Sequence, residues 1–224
     1  EQDFLRGLNL PTDEAIDAVG GRLRAATLRD IQGFRAAPGQ PARTIALTLR
    51  LEGSSTPPVT FESFARLVSL AEPVGVVAVG GTGKSTTLLQ LAECMGNQEG
   101  LIPMLVPLGE WSDRLEDFFD FVLRRSAFYG IRREHLMQLA YHGNLALLLD
   151  GWNELPADAR LRATRDLTAL QRDYPQLGIV ISSRRQALPD IRPIIVIDPL
   201  SDEQQLEIAQ AVRGDEGVGF VDRA

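Results

Sequence analysis

The chain has 224 residues and a mass of 24.6 kDa, enough for one domain and a modest appendage. A hydrophobic fraction of 44% with 24% charged residues is that of a globular chain with a core, and it excludes a disordered or fibrous class. The formal net charge of -7 speaks against a nucleic-acid-binding surface, and the single Cys94 excludes an internal disulfide framework and fits a reducing, cytoplasmic setting.

The first residue is Glu1, and no charged stretch leads into an apolar one, so no signal peptide is expected and the sequence reads as a piece of a longer protein. From Thr12, placed as an N-cap after Pro11, the spacing of Ile16, Val19, Leu23, Ile31 and Phe34 predicts helix. Gly20-Gly21 interrupts the pattern, so two helices or one kinked helix fit equally. Pro38-Gly39-Gln40-Pro41 breaks the chain and sets a boundary: residues 1–43 read as a helical linker or the end of an attached domain. Residues 44–51 alternate, with Ile45, Leu47, Leu49 and Leu51 on one face, which predicts a half-buried strand. A loop over 53–58 and a short amphipathic helix over 61–70 follow.

After Pro73 short buried runs alternate with helices. Strands are expected at 74–79, 102–108, 145–149, 178–182 and 194–197, and helices at 85–95, 115–128, 134–141 and 157–172. Leu88, Leu89, Leu91 and Ala92 point inward in the first of those helices, and Ser201 with Gln204 three residues on forms a capping box that opens another. Such alternation predicts a parallel sheet covered on both faces. The longest apolar runs, 74–79 and 145–149, are too short to cross a bilayer, so no membrane partner is expected.

The strand at 74–79 runs into Gly80-Gly81-Thr82-Gly83-Lys84-Ser85-Thr86, and a helix follows. Glycines let backbone amides approach a phosphate at distances a side chain would block. The helix start adds free N–H groups and the positive end of its dipole. Lys84 is the only lysine among 23 basic residues, which marks a position that needs a compact ammonium, here for the β- and γ-phosphates of a nucleotide. The Ser85 hydroxyl is placed to ligate Mg²⁺. Ala78 stands where the phosphate-loop consensus has its first glycine; Gly80-Gly81 keep the loop adaptable.

Further along, the run 145–149 ends in Asp150-Gly151-Trp152-Asn153-Glu154. Ligands of open parallel sheets bind beyond the carboxyl ends of the strands, where a phosphate-loop enzyme holds Mg²⁺ on an aspartate. Asp150 fits that role, and Glu154 is the carboxylate left to orient or deprotonate an attacking water. The next strand ends in Ser182-Ser183-Arg184-Arg185, where Arg184 can contact a γ-phosphate. His135 and His142 make no metal-ligand pattern with Cys94 and read as packing or surface residues. Phe118, Phe119, Phe121, Phe128 and Tyr129 read as core. Trp152 either packs near the nucleotide or covers the sheet edge.

Together these residues resemble the NACHT subgroup of STAND NTPases, which are signal-transducing phosphate-loop ATPases. Residues 78–86 look like that family's Walker A, and Leu147-Leu148-Leu149-Asp150-Gly151-Trp152-Asn153-Glu154-Leu155 is similar to its Walker B, in which a small residue follows the metal aspartate and an acidic pair comes two residues later. Asn153 takes the place of one acid of that pair. Ser182-Ser183-Arg184 resembles the sensor strand, Ile197-Asp198-Pro199-Leu200-Ser201-Asp202-Glu203-Gln204 the start of the helical lid, and Pro103-Met104-Leu105-Val106-Pro107-Leu108 the strand before the middle helices. The resemblance covers about residues 73–213.

It implies an α/β P-loop NTPase fold of the ASCE type, with a nucleotide-binding domain at 44–200 and the start of a lid at 201–224. It also implies ATP or ADP with Mg²⁺ as ligands, slow regulated hydrolysis through Lys84, Asp150, Glu154 and Arg184, and oligomerisation on activation. Sensor and effector domains would be attached in the full protein, in a role such as bacterial antiphage defence. A steady-turnover ATPase and a nucleotide-stabilised scaffold without hydrolysis are the two alternatives.

Overall fold

The computed structural model describes residues 13–36, 47–54, 57–70, 72–79 and 83–204. Thr12, Ile45, Gly80, Gly81, Thr82 and most of the lid at 201–224 therefore lie outside the described residues, as does the boundary at 38–41.

Among the described residues six strands form one sheet: β1 (Leu49–Leu51), β2 (Val74–Val77), β3 (Ile102–Pro107), β4 (Leu145–Asp150), β5 (Gly178–Ser183) and β6 (Ile194–Ile197). Their order across the sheet is β1-β6-β2-β5-β4-β3. β1 runs antiparallel to β6 and all other neighbours are parallel. The middle strands are buried along nearly their whole length, which explains their continuous apolar runs: with helices on both faces there is no wet side to call for alternation.

Among the described residues seven α-helices pack around the sheet: α1 (Asp13–Arg35), α2 (Phe61–Val68), α3 (Lys84–Gly96), α4 (Leu108–Ser112), α5 (Phe118–Leu123), α6 (Arg133–Tyr141) and α7 (Ala157–Asp173). On one face α2 and α3 bury Phe64, Val68, Leu88 and Leu91 against Val76, Leu148 and Val180. On the other, α4 to α7 bury Trp111, Phe118, Leu136 and Ala163 against Met104, Leu147 and Ile179. Alternate residues of β4 go to opposite faces, as the pleat requires. Each fully buried leucine of this kind stabilises the fold by about 1.5–3 kcal/mol.

One strand, β5, separates β2 from β4, so the strand that leads into the glycine-rich segment and the strand that ends in Asp150 are next-nearest neighbours. The mostly parallel α/β sheet covered by helices on both faces is the architecture expected from the sequence.

Several local expectations are corrected. The helix foreseen over 115–128 is instead α5 followed by a 3₁₀ turn at Ser126–Phe128, with α4 lying upstream of it. Two local bonds decide this: Trp111 Nε1 donates to the Glu116 carbonyl at 3.0 Å, and the Asp117 carboxylate caps α5 by accepting the Asp120 amide at 3.0 Å. Leu115, taken as the helix's first apolar residue, is 96% exposed. In the described part of the alternating segment, 47–51, only the short β1 is strand, with Leu47 and Thr48 outside it. Of the two readings at Gly20-Gly21, two helices or one kinked helix, the first is overturned: α1 is a single helix that runs through both glycines.

Four phenylalanines of the aromatic group are buried as expected, whereas Tyr129 is exposed. His135 is buried and caps α6, its Nδ1 accepting the Arg132 amide at 3.1 Å. Trp152 sits in the core beneath the sheet's carboxyl edge. No helix among the described residues is long and apolar enough to cross a membrane.

Candidate functional site

All the predicted chemistry that is described converges on the carboxyl edge of the parallel strands. β2 enters the edge at Val77 and continues through Ala78 and Val79 toward the glycine-rich segment; the chain is next described at Gly83, the N-cap of α3. Gly83 has φ +90°, and a Cβ there would stand 3.2 Å from Leu47 Cδ1, so conformation and space both call for glycine. α3 carries no acidic side chain in its first turn, which leaves the positive end of its dipole free to meet an anion. Lys84 opens that helix and its Nζ donates to the Val79 carbonyl at 3.4 Å, so the ammonium closes back over the start of the segment it follows. Ser85 is exposed and Thr86 partly so on the same turn.

β4 delivers Asp150 to the edge two strands away, about 10 Å at the usual spacing of strands. Gly151 turns sharply with φ +90°, and Trp152–Glu154 forms a 3₁₀ turn. The Glu154 carboxylate folds back over this turn: a Cβ on residue 151 would meet Glu154 Oε2 at 3.0 Å and Cδ at 3.2 Å. A glycine after the aspartate thus leaves room for the second carboxylate.

β5 runs between the two and ties them together. Ser182 Oγ accepts the Gly151 amide at 3.0 Å and donates to Asp150 Oδ1 at 2.5 Å. The Arg184 amide donates to Asn153 Oδ1 at 3.0 Å, so Asn153 is occupied in holding the turn to the end of β5. Ser183, level with Val77 on β2, is fully buried, and its hydroxyl has no hydrogen-bond partner among the described residues. The Arg184 guanidinium makes no bond to a described residue and lines a cleft, whereas Arg185 pairs with Glu52. That cleft, about 550 Å³, has mostly apolar walls from Val77, Val79, Val196, Ile197 and Pro199.

Lys84, Ser85, Asp150, Glu154 and Arg184 are thus placed at one edge, with Asp150, Glu154 and Arg184 linked through a single network of turns. Gly80, Gly81 and Thr82 lie outside the described residues. The available donors, the Asp150 carboxylate and the Ser85 hydroxyl, are hard oxygens suited to a cation that brings its own waters and phosphate oxygens. No group of three or more His, Cys, Asp or Glu able to form an all-protein cage occurs among the described residues.

Sequence reasoning missed two contributors, the hydroxyl of Ser182 and the amide of Asn153. The available signal was a pair of serines where a wholly buried strand would otherwise carry valine or isoleucine.

No family model matches the chain, and no curated protein matches it. Among solved structures it is similar to PCH-2 of C. elegans, with 12% identity, a TM-score of 0.43, and coverage of 90% of this chain and 48% of that one. It is also similar to a DNA replication initiation factor, with 15% identity, a TM-score of 0.47, and coverage of 73% of this chain and 53% of the other. The chain spans about half the length of each.

Proposed function

We propose that this chain is the ATP-binding, Mg²⁺-dependent core of a NACHT/STAND-type switch that hydrolyses its nucleotide slowly. The observation that carries the reading is a juxtaposition: the chain's only lysine opens a glycine-capped helix directly after a buried strand, and an aspartate ends the strand two places away at the same edge. Neither a packing role nor a solvated surface accounts for both.

The residues divide the work by their chemistry. Lys84 and the amides at the start of α3 bind the phosphates. Ser85 and Asp150 would hold Mg²⁺, which when bound neutralises charge developing on the phosphate oxygens. The apolar cleft beside Val77 and Pro199 offers a surface for the base, with Arg184 among its lining residues. For hydrolysis, Glu154 accepts a proton from water as the water oxygen bonds to the γ-phosphorus and the bond to the ADP oxygen breaks.

As a switch, the nucleotide moves the protein between two states only by the difference in its affinity for them, and the γ-phosphate that Lys84 and Arg184 reach is the part that differs between ATP and ADP. Oligomerisation on activation, attached sensor and effector domains, and a place in defence follow from the NACHT resemblance. Asn153 in place of an acid favours a slow rate, and in the limit a nucleotide-stabilised scaffold.

Calorimetric titration of ATP into the parent and Lys84→Ala tests the site. The variant is expected to lose at least about a hundredfold in affinity, the loss of a buried charge-assisted contact of roughly 3 kcal/mol. Retention of the parent's affinity would remove Lys84, and the reading with it.

A further inference from the structure

Ser182 is completely buried at the next-to-last position of β5, between the apolar Ile181 and the equally buried Ser183. Its hydroxyl is committed on both sides. The Gly151 amide occupies its acceptor side at 3.0 Å, so the hydroxyl proton is directed at Asp150 Oδ1, 2.5 Å away. The chain N–H to O–H to carboxylate is one in which each bond polarises the next. Asp150 Oδ2 takes no hydrogen bond from any described residue.

We infer that Ser182 is a positioning residue for Asp150: its hydroxyl fixes the rotation of the carboxylate, holding one oxygen on the protein and keeping the other for the divalent cation that accompanies the nucleotide. The inference rests on the nucleotide-site reading above. A carboxylate at a strand end turns freely about its last bond, because that torsion has broad minima. Mg²⁺ tolerates little angular error in its ligands, so a carboxylate locked in advance binds it at a lower entropic cost. Groups that orient a metal ligand in this way are commonly worth about 10–100-fold in metal affinity or activity. A purely structural tie between β4 and β5 would contribute equally whether or not the cation is present.

The test measures ATP affinity by calorimetry with Mg²⁺ and with EDTA, alongside thermal unfolding of the ligand-free protein, for the parent and Ser182→Ala. The expected result is a roughly tenfold smaller gain in affinity from Mg²⁺ in the variant, with affinity in EDTA within about twofold of the parent. If the alanine variant does not fold, Ser182→Cys, similar in volume and a weaker donor, is expected to show the same selective loss. A full Mg²⁺ gain in the variant, or equal losses in both buffers, overturns the positioning role and leaves the nucleotide site standing. A parent that binds ATP in neither buffer overturns both.

Discussion

Asn153 and Glu154 are adjacent and do different things. Asn153 turns its side chain to the Arg184 amide, while Glu154 lays its carboxylate over Gly151, in the space a Cβ would fill. The first is a tether and the second is the only acid on the turn. Replacing Glu154 by glutamine keeps the shape and removes the proton acceptor proposed above, so Glu154→Gln should bind ATP within about twofold of the parent while turnover falls by about 10²–10⁴. Single-turnover hydrolysis decides it: an unchanged rate would mean that another group takes the proton. Lys84, Asp150 and Glu154 could be picked out from the sequence because each sits in a local pattern of glycines and an apolar run. Ser182 and Asn153 could not, because their partners lie 32 and 31 positions away.

At the level of elements, the middle strands were legible because complete burial writes itself as an unbroken apolar run. The segment 115–128 was not, because its apolar residues fit a helix while the Asp117 cap and the Trp111–Glu116 bond impose a break. α1 shows the converse. Its two glycines suggested an interruption, yet packing of Leu23, Ala26 and Ile31 into the core holds the helix continuous across them. Gly21 is exposed, and a Cβ there would meet nothing within 4 Å. Gly21→Ala should therefore stabilise the protein by roughly 0.5–1 kcal/mol, raising the unfolding temperature by about 1–4 °C. Calorimetric melting checks this; a lower transition would mean that α1 needs flexibility at that point.

Across the whole molecule, α1 is fastened to the segment after α5 by a largely buried ion pair. Arg125 lies 3.2 Å from Asp30 and over the rings of Phe34, Phe121 and Phe128. Burial pushes the Asp30 carboxyl up to about 6 even though Arg125 pulls it down, and nearby Glu110 adds to the rise. Burial also lowers Arg125, against the pull of Asp30 and Glu110. Between the ordinary aspartate value and about 6, the native state thus keeps a proton that the unfolded chain has released. Stability from this group is largest below that window, falls as pH rises through it, and is level above. Asp30→Asn lacks the titration, so from pH 4 to pH 7 its stability should move up relative to the parent by about 2 kcal/mol. Urea unfolding at the two pH values measures the difference; a constant offset would show that Asp30 is ionised throughout.

The sequence by itself determined the alternation of strands and helices, the covered parallel sheet, and the two strand ends that bear Lys84 and Asp150. These are set by near-neighbour periodicity and by glycines required at fixed offsets. Only the tertiary structure decided that β5 lies between those two strands, so that Ser182 reaches Asp150, and Asn153 reaches the Arg184 amide, across the gap. The physical reason is that strand order is fixed by how helices cover both faces of the sheet, an outcome of the whole chain's packing that no short stretch of residues encodes.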